Sequence, residues 1–251
     1  MTPTLEISDL VVTRGGRRNV VRDVSITVPS GSITALIGPN GAGKSTTVQA
    51  MAGLLPATGS VALDGEELCG ARPEKIRAAG LAVVPEGHRV LGRLTVFDNL
   101  RASASGVGRR DAGAAIERAL ALFPELRPKS RALAGSLSGG QQQMLALAQG
   151  LVRTPKYLVI DELSFGLAPV VVSRLLETIR AIAADGVGVL LIEQFTQVAL
   201  ALSEAAYVME GGRIRHAGNS RELSDRPEIL HSSYLGGGRV RAASATTADI
   251  N

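Results

Sequence analysis

The residues best suited to chemistry form a glycine-rich loop between an apolar run and a segment that favours helix. The loop matches the pattern G-x-x-x-x-G-K-[ST], which cradles phosphate groups. Its glycines let successive backbone N–H groups point inward, and the following helix presents its positive end. We expect Lys44 to neutralise β/γ-phosphate charge and Ser45 to offer its hydroxyl to Mg²⁺. The residues predicted to bind nucleotide here are Gly38, Pro39, Asn40, Gly41, Ala42, Gly43, Lys44, Ser45 and Thr46.

A second candidate lies at the end of another apolar run, Tyr157–Ile160, which Asp161 and Glu162 follow. A sheet edge can bring Asp161 beside Ser45, where it would hold Mg²⁺ directly or through water. Glu162 would then face the terminal phosphate and polarise an attacking water. Phosphoryl transfer depends mainly on positioning and charge neutralisation, and this arrangement would supply both. An acidic strand end is by itself more often a solvated loop, but its pairing with the phosphate loop favours catalysis.

A third segment, Leu137–Gln143, opens another predicted helix. Ser138 is a suitable N-cap, and the two glycines after it leave N–H donors at the positive end of that helix. The resulting second anion site comprises Ser138, Gly139, Gly140 and Gln141. One nucleotide cannot easily use both sites of the same chain. Two copies could, if the helix end of one caps the γ-phosphate held by the other.

Strands and helices alternate in the order needed to place these motifs. The predicted elements are strands over 4–37, a helix over 44–53, strands at 61–65, 81–84 and 157–161, a helix over 169–183, a strand over 187–192, a helix over 196–203 and a hairpin over 205–216. The assignments rest on apolar periodicity and on glycine and proline punctuation. The alternation predicts a mostly parallel sheet covered by helices.

The pattern changes at about 90–135, where strand-like runs give way to Ala, Leu and Arg at helical spacing. We predict an inserted helical subdomain there, within a folded domain over 1–235. The rest of that domain, 1–89 and 136–235, would form the sheet-bearing lobe. The remaining segment, 236–251, is rich in Gly, Ser, Thr and Ala, and we predict a disordered tail.

Composition narrows the class of protein. The chain has 251 residues, of which 45% are hydrophobic and 20% charged, as in an average globular domain. The longest uncharged stretch, 132–152, contains Ser, Gly and Gln instead of ~20 apolar residues, so no membrane span is predicted. No signal peptide is evident, and the single Cys69 excludes a disulfide framework. The net charge of +4 would be compatible with binding to nucleic acid. The basic residues are scattered and aromatic rings are scarce, however, which argues against such a partner.

The order of phosphate loop, helical insert, Leu-Ser-Gly-Gly-Gln at 137–141 and acidic strand end resembles the ATP-binding-cassette (ABC) ATPases. The resemblance covers roughly residues 4–235. It implies an α/β fold, namely a P-loop NTPase cassette with a mostly parallel core sheet, an antiparallel β subdomain and an inserted α-helical subdomain. It also implies ATP and Mg²⁺, and a head-to-tail dimer that closes over two ATP molecules. The facing partner would be a second ABC ATPase subunit or a second copy of this chain.

Further segments look like the smaller ATP-binding subunit of branched-chain amino-acid importers. They are Val84–Gly87, residues 164–169, Ile192–Gln194 and Tyr234–Gly237. The implied function is an ATPase that powers an importer from the cytoplasmic face of the membrane, as a peripheral subunit. Transmembrane permease subunits would be its direct partners, in a groove between the sheet lobe and the insert near Glu86. A solute-binding protein would be an indirect partner.

Other functions of the same fold stay open. A urea importer subunit is similar, and lipid-transport or export ATPases would share the same hydrolytic residues. A soluble ABC ATPase acting in translation or DNA repair matches less well. Such proteins usually carry two cassettes or a long coiled-coil insert, and this sequence has neither.

The chain departs from the usual ABC pattern at four positions. Arg14 stands where an aromatic residue stacks on adenine, and its guanidinium could stack instead. Glu86 replaces a glutamine, and we expect it to contact Mg²⁺ or a water bound to it. Gln194 replaces the switch histidine, so it can donate to the γ-phosphate without adding positive charge. Leu163 replaces the proline after the catalytic glutamate, which leaves the backbone less stiff.

By resemblance, therefore, the catalytic residues are Lys44, Glu162 and Gln194. The Mg²⁺ ligands predicted on the same grounds are Ser45, Glu86 and Asp161.

Overall fold

The computed structural model describes residues 3–15, 18–87, 89–108, 110–164, 166–226 and 228. The predicted tail over 236–251 and the Tyr234–Gly237 segment lie outside these residues. Of the helices that are described, none is both long enough and apolar enough to cross a membrane.

Strands and helices follow one another in nearly the predicted order. The described strands are β1 (Thr4–Arg14), β2 (Arg18–Pro29), β3 (Ile33–Ile37), β4 (Thr58–Leu63), β5 (Glu66–Glu67), β6 (Leu81–Val84), β7 (Tyr157–Asp161), β8 (Gly188–Glu193), β9 (Ala205–Glu210) and β10 (Arg213–Asn219). The described α-helices are α1 (Lys44–Met51), α2 (Pro73–Ala79), α3 (Val96–Ser103), α4 (Ala112–Leu122), α5 (Gly139–Leu151), α6 (Pro169–Ala184), α7 (Thr196–Leu202) and α8 (Ser220–Ser224).

The strands form two sheets, as predicted. Among the described residues, one sheet is antiparallel in the order β2-β1-β4-β5, and the other has the order β10-β9-β3-β8-β7-β6. In the second sheet β6, β7, β8, β3 and β9 run parallel, and β10 pairs antiparallel with β9. Strands β3, β7 and β8 are buried along their whole length, as strands covered on both faces must be. Their carboxyl ends meet at one edge, where α/β sheets usually hold ligands.

Helices dominate the segment predicted to be an insert. Helices α3 and α4 and a 3-10 turn at Pro124–Lys129 pack with α5 around one apolar cluster. Its fully buried members include Leu100, Phe123, Leu126 and Leu145. The helical character predicted for 90–135 is therefore confirmed, while the division of the chain at these boundaries stays a prediction.

One buried amide fixes the entry to this helical region. The Asn99 side chain is fully buried in α3 and donates to the carbonyl oxygens of Leu91 (3.1 Å) and Thr95 (2.9 Å). Its Oδ1 accepts from the Leu91 N–H at 2.8 Å and from Gln149 of α5 at 3.3 Å. The segment leading from the core sheet into α3 is thus held to both α3 and α5.

Two local differences from the sequence prediction have physical causes. Helix α1 ends at Met51, two residues earlier than predicted, because Gly53 has a left-handed backbone with φ 71°. Helix α2 was not predicted at all. It begins at Pro73, which needs no N–H partner in the first turn, and it ends before Gly80 at φ 112°. Its seven residues bury only Ile76, too little to leave a periodic signal.

A polar contact joins the two sheets at the start of β7. Asp64, in the turn between β4 and β5, accepts hydrogen bonds from the Tyr157 hydroxyl and from Lys156 Nζ, each at 2.7 Å. Burial raises the pKa of Asp64, but these hydrogen bonds outweigh it, so its pKa lies below the ordinary value. The Tyr157 side chain is itself buried, so its hydroxyl needs this acceptor.

Candidate functional site

The phosphate loop is pressed against the backbone of β9. Gly38 has φ 156°, and a Cβ placed there would lie 2.1 Å from the carbonyl oxygen of Met209. Gly43 has φ 111°, and its Cβ would lie 2.9 Å from Met209 Cε and 3.1 Å from the Val20 carbonyl oxygen. Only glycine can combine these left-handed angles with such close approach. The two outer glycines of the pattern are therefore required by packing before any ligand is considered.

Lys44 lies inside the loop that precedes it. Its side chain is 5% exposed, and Nζ donates to the carbonyl oxygens of Gly38 (2.7 Å) and Pro39 (3.2 Å). Burial lowers the pKa of Lys44, against the opposing effect of nearby carboxylates, of which Glu162 and Asp161 contribute most. The loop therefore places one cation, held by exchangeable carbonyl contacts, beside an acidic strand end.

Asp161 and Ser45 meet, as the sequence predicts. The Ser45 hydroxyl donates to the Asp161 carboxylate, which is 4% exposed at the end of β7. Burial raises the pKa of Asp161 to about 6, although the Ser45 hydrogen bond and Lys44 lower it. Asp161 Oδ1 is buried and has no hydrogen-bond partner among the described residues. An orphaned buried oxygen of this kind calls for a further ligand.

The residues predicted to hold Mg²⁺ share one recess. Ser45, Glu86 and Asp161 line a space of about 80 Å³ beneath the loop. Carboxylate and hydroxyl oxygens suit Mg²⁺, which usually takes one or two carboxylates and completes its shell with waters and substrate phosphates. No cluster of three or more His, Cys, Asp or Glu suited to a metal occurs in the described part of the chain. The donor set therefore fits Mg²⁺ bound together with a phosphate better than a metal held by protein alone.

Glu162 adopts a strained conformation directly after β7. Its φ is 54°, which is uncommon for a residue with a side chain, and its N–H donates to the Ile192 carbonyl oxygen at 2.9 Å. Burial raises the pKa of Glu162, the charge of Glu86 adds to that rise, and Lys44 opposes it. A carboxylate with a raised pKa accepts a proton more readily, which suits a group that polarises water.

A cavity of about 520 Å³ gathers most of the predicted site residues. Its lining consists of Arg14, Val20, Asn40, Gly41, Gly43, Lys44, Ser45, Thr46, Glu86, Glu162 and Gln194. Val20 was not predicted, because nothing in the local sequence distinguishes it from other strand residues. Gly38, Pro39 and Ala42 shape the loop from behind, and Asp161 lines the recess below. Arg14, Glu86 and Gln194, the three polar departures from the ABC pattern, thus face one space.

The second predicted anion site is capped as expected but lies elsewhere. The Gln141 N–H donates to Ser138 Oγ at 3.4 Å, and Gln141 Oε1 accepts from the Ser138 N–H at 3.3 Å. This reciprocal capping box opens α5. Ser138 and Gly139 are exposed. None of the four residues from Ser138 to Gln141 is among the described residues that line the nucleotide-sized cavity.

A pair missed by sequence reasoning lies behind the cavity. Glu193, at the end of β8, is 1% exposed, and its carboxylate accepts from the Ser164 N–H at 3.0 Å and the Ser164 hydroxyl at 2.9 Å. Burial raises the pKa of Glu193, while the Ser164 hydrogen bonds lower it in part. The sequence signal that could have identified Glu193 is an acidic residue at the end of an otherwise apolar run.

A groove of about 440 Å³ separates β6 from the ends of α3 and α5. Its lining includes the cations Arg77, Arg89 and Arg153 and the single acid Glu74. Arg77 contacts Glu74 at 3.4 Å, which leaves Arg89 and Arg153 as excess positive charge. Pro85 also lines the groove. The groove lies between the core sheet and the helical region, and its use by a partner stays a prediction.

Comparison with known proteins gives consistent relatives. The sequence model of the family described as ABC transporter matches residues 21–164. The chain is 41% identical over 230 residues to the high-affinity branched-chain amino acid transport ATP-binding protein BraG of Pseudomonas aeruginosa, covering 91% of this chain and 98% of that protein. It is 33% identical over 237 residues to the lipopolysaccharide export system ATP-binding protein LptB of Escherichia coli, covering 93% and 97%.

The fold also matches a solved structure. A crystal structure of an ATP-binding cassette of an ABC transporter, in its ADP conformation, superposes with a TM-score of 0.83. It covers 92% of this chain and 98% of its own, at 24% identity. At that identity the likeness shows the fold alone, and it agrees with the two-sheet architecture and helices described above.

Proposed function

Because the chain belongs to the ABC transporter family, we propose that it is the ATP-hydrolysing subunit of an importer of branched-chain or related amino acids. The chain is an ABC-type ATPase, and such subunits work with transmembrane permeases. The finer function is supported by 41% identity to a branched-chain amino acid transport protein, against 33% to a lipopolysaccharide export protein. The observation that carries the ATPase assignment is the convergence of Lys44, Ser45 and Glu162 on one cavity above a buried, orphaned Asp161 oxygen.

We propose that the phosphates of ATP bind to the phosphate loop over 38–46. The backbone N–H groups over 38–46 surround the phosphates, and Lys44 exchanges its contacts with Gly38 and Pro39 for the β- and γ-phosphate oxygens. The guanidinium of Arg14, at the rim of the same cavity, stacks on adenine. An arginine in this position supplies both a planar face and positive charge, so loss of the aromatic ring does not remove the base contact.

The hydrolytic step needs a positioned water and charge neutralisation. Ser45, Asp161 and Glu86 would hold Mg²⁺, which when bound neutralises charge on the phosphate oxygens. Glu162 orients the attacking water and accepts its proton, because its carboxylate faces the cavity and its pKa is raised. Gln194 lines the same cavity, and its side-chain amide donates to the γ-phosphate.

The complete site is proposed to need a facing subunit. The positive end of α5 is exposed at Ser138 and Gly139, and a capping box between Ser138 and Gln141 opens it. An exposed helix N-terminus that carries two glycines suits a phosphate supplied by another subunit. Residues Ser138, Gly139, Gly140 and Gln141 would therefore serve the γ-phosphate held by the partner's loop.

The permease contact is proposed to lie in the groove between β6 and the helical region. Its excess cations, Arg89 and Arg153, favour a partner segment that carries acidic residues or carbonyl oxygens. The segment after Arg89 exposes Leu91, Leu94 and Phe97 by 38–51%, which offers apolar contact beside the charge. In this arrangement the chain sits on the cytoplasmic face of the membrane, and a solute-binding protein acts on the far side.

An uptake assay tests the proposal. In cells that lack the chromosomal copy of this gene, the wild-type chain should restore uptake of radiolabelled leucine, and Glu162→Gln should not. Arg153→Glu should abolish uptake and co-purification with permease in detergent, while the isolated subunit keeps its ATPase rate. Arg118→Glu reverses an exposed charge on α4 outside the groove and is the matched control. Unchanged leucine uptake together with loss of lipid export on deletion would instead favour the export function of the 33% identical relatives.

A further inference from the structure

The end of β8 carries a buried acid that the hydrolytic scheme does not use. Glu193 is 1% exposed and is the last residue of β8, directly before Gln194. Its Oε1 accepts from the Ser164 N–H at 3.0 Å, and its Oε2 accepts from the Ser164 hydroxyl at 2.9 Å. The Leu163 N–H also donates to this carboxylate. Glu193 is not among the described residues that line the cavity.

Such a carboxylate is costly unless its hydrogen bonds are made. The five residues of β8 that precede it are all apolar or glycine and all buried, so an apolar residue would fit the strand equally well. Each oxygen of Glu193 instead accepts from the loop after β7. The gain from a charged side chain here therefore lies in holding that loop.

The loop that Glu193 holds begins at the strained Glu162. Strands β7 and β8 are paired with Asp161 opposite Ile192, and the Glu162 N–H continues this pairing to the Ile192 carbonyl oxygen at 2.9 Å. Glu162 then turns with φ 54°, and the fully buried Leu163 follows. Because Leu163 carries an N–H that a proline in its place would lack, that buried donor needs an acceptor. Glu193 supplies it.

One carboxylate thus fixes two neighbouring segments. On one side it binds the residues that follow Glu162, and on the other it is bonded in sequence to Gln194. Both of those side chains face the cavity. The hydrogen bonds of Glu193 to the loop after β7 therefore constrain the distance between Glu162 and Gln194.

We propose that Glu193 is a positioning residue that holds Glu162 and Gln194 in register across the γ-phosphate, in place of the backbone stiffness that proline would give. The proposal rests on the proposed ATPase site. Glu193 acts through Leu163 and Ser164 and does not touch nucleotide. Loss of the contact should therefore lower kcat for ATP hydrolysis and leave nucleotide affinity unchanged.

The test is steady-state kinetics of two variants and their combination. Glu193→Gln replaces one accepting oxygen by an NH₂ group, which cannot accept from the loop. We expect kcat to fall about fivefold or more, with KM for ATP and the Kd of a fluorescent ATP analogue within twofold of wild type. Ser164→Ala deletes one hydroxyl and keeps the charge, and it should lower kcat by a smaller factor. If both act through one contact, the double variant should be no slower than Glu193→Gln alone.

A matched control exists at the opposite end of the sheet. The Ser32 hydroxyl donates to Glu204 Oε2 at 3.0 Å, so Glu204→Gln alters a similar serine–carboxylate pair away from the cavity. It should leave kcat unchanged. A wild-type kcat in Glu193→Gln, or a rise in KM that accounts for its whole defect, would overturn the proposal. If Glu193→Gln fails to fold, a wild-type kcat in Ser164→Ala overturns it equally. Failure of the proposed function would appear differently, as absence of ATPase activity in the wild-type chain.

Discussion

Lys44 Nζ lies 2.7 Å from the carbonyl oxygen of Gly38, so the lysine is folded back over the loop that precedes it. The contact keeps a buried ammonium hydrogen-bonded and aims it at the centre of the loop. Lys44→Met keeps an unbranched side chain but should lose the charged contact to phosphate. Since hydrogen bonds to charged groups contribute about 1.5–3 kcal/mol, ATP affinity should fall roughly tenfold to a hundredfold. Titration with a fluorescent ATP analogue measures this, and wild-type affinity would contradict it.

Glu162→Gln should separate ATP binding from turnover. The amide keeps the shape of the side chain and cannot accept the proton of water, so the hydrolysis rate should fall about a hundredfold or more. With ATP bound and not consumed, the variant should elute as a dimer on gel filtration. Glu177→Gln, which changes an exposed acid on α6, is the control. Hydrolysis at the wild-type rate by Glu162→Gln would remove this residue from its role.

A mixing experiment tests whether Ser138 serves a second chain. Lys44→Met disables the loop, and Ser138→Arg blocks the helix end with a bulky cation. Each variant alone should be inactive. In a mixed dimer one site combines both defects and the other combines neither, so an equal mixture should regain about a quarter of wild-type activity. A mixture that stays inactive while mixed dimers form, or a wild-type monomer that hydrolyses ATP at full rate, would contradict the composite site.

Mg²⁺ binding should depend on the ionisation of Asp161. Burial raises the pKa of this carboxyl to about 6 from an ordinary value of 3.8. Because the folded state then holds its proton more tightly than the unfolded state, Asp161 contributes stability at low pH that is lost as the pH rises through this window. Metal needs the ionised form, so apparent Mg²⁺ affinity should fall by about tenfold per pH unit below about pH 6.

Titrating Mg²⁺ into the nucleotide complex between about pH 5 and pH 7 checks this dependence. Removal of the metal with EDTA should abolish hydrolysis throughout that range. In Asp161→Asn the pH dependence of Mg²⁺ binding should disappear together with most of the affinity. An unchanged slope in Asp161→Asn would assign the titration to another group.

Tyr157→Phe should destabilise the fold in a pH-dependent way. It removes the donor to Asp64 Oδ1, and we expect a loss of about 1 kcal/mol in the free energy of unfolding near neutral pH. Asp64 has a lowered pKa in the fold, so its contribution is present above the ordinary value of 3.8 and is lost as the pH falls through the folded value. The deficit of Tyr157→Phe should therefore shrink on acidification.

Urea unfolding of both proteins from about pH 7 down to about pH 3 measures that deficit. Tyr207→Phe is the matched control, because the Tyr207 hydroxyl accepts from the Thr27 N–H at 3.1 Å and has an uncharged partner. Its deficit should not change with pH. Equal pH dependence in both variants would show that the Asp64 carboxylate is not the cause.

Sequence reasoning succeeded where the signal is local. The bounds of β6 and β7 were predicted to the residue because each contains an unbroken apolar run, preceded by Gly80 or by Pro155 and Lys156 and followed in β7 by the acidic Asp161. The phosphate loop lies between β3 and α1, as its spacing predicted, while the catalytic role of Glu162 stays a prediction. Helix α2 was missed because it has only one buried side chain to mark it.

Contacts between distant segments could not be predicted from local sequence patterns. Glu193 and Ser164 are 29 residues apart, and their contact depends on the pairing of β7 with β8. The lining role of Val20 depends likewise on how β2 packs behind the loop. The part that Ser138 plays for a second chain stays a prediction, because it concerns an assembly that one chain does not contain.

The bond between Asp64 and Tyr157 has a mechanical consequence. Arg14 ends β1 in one sheet, and Asp161 ends β7 in the other; the turn that holds Asp64 is fastened to the foot of β7. Because this bond ties the turn to the strand that bears the acidic pair, we expect a displacement of the antiparallel sheet to shift β7 as well. Without the hydrogen bond between Tyr157 and Asp64, we expect ATP to bind as before, while β7 no longer follows the antiparallel sheet.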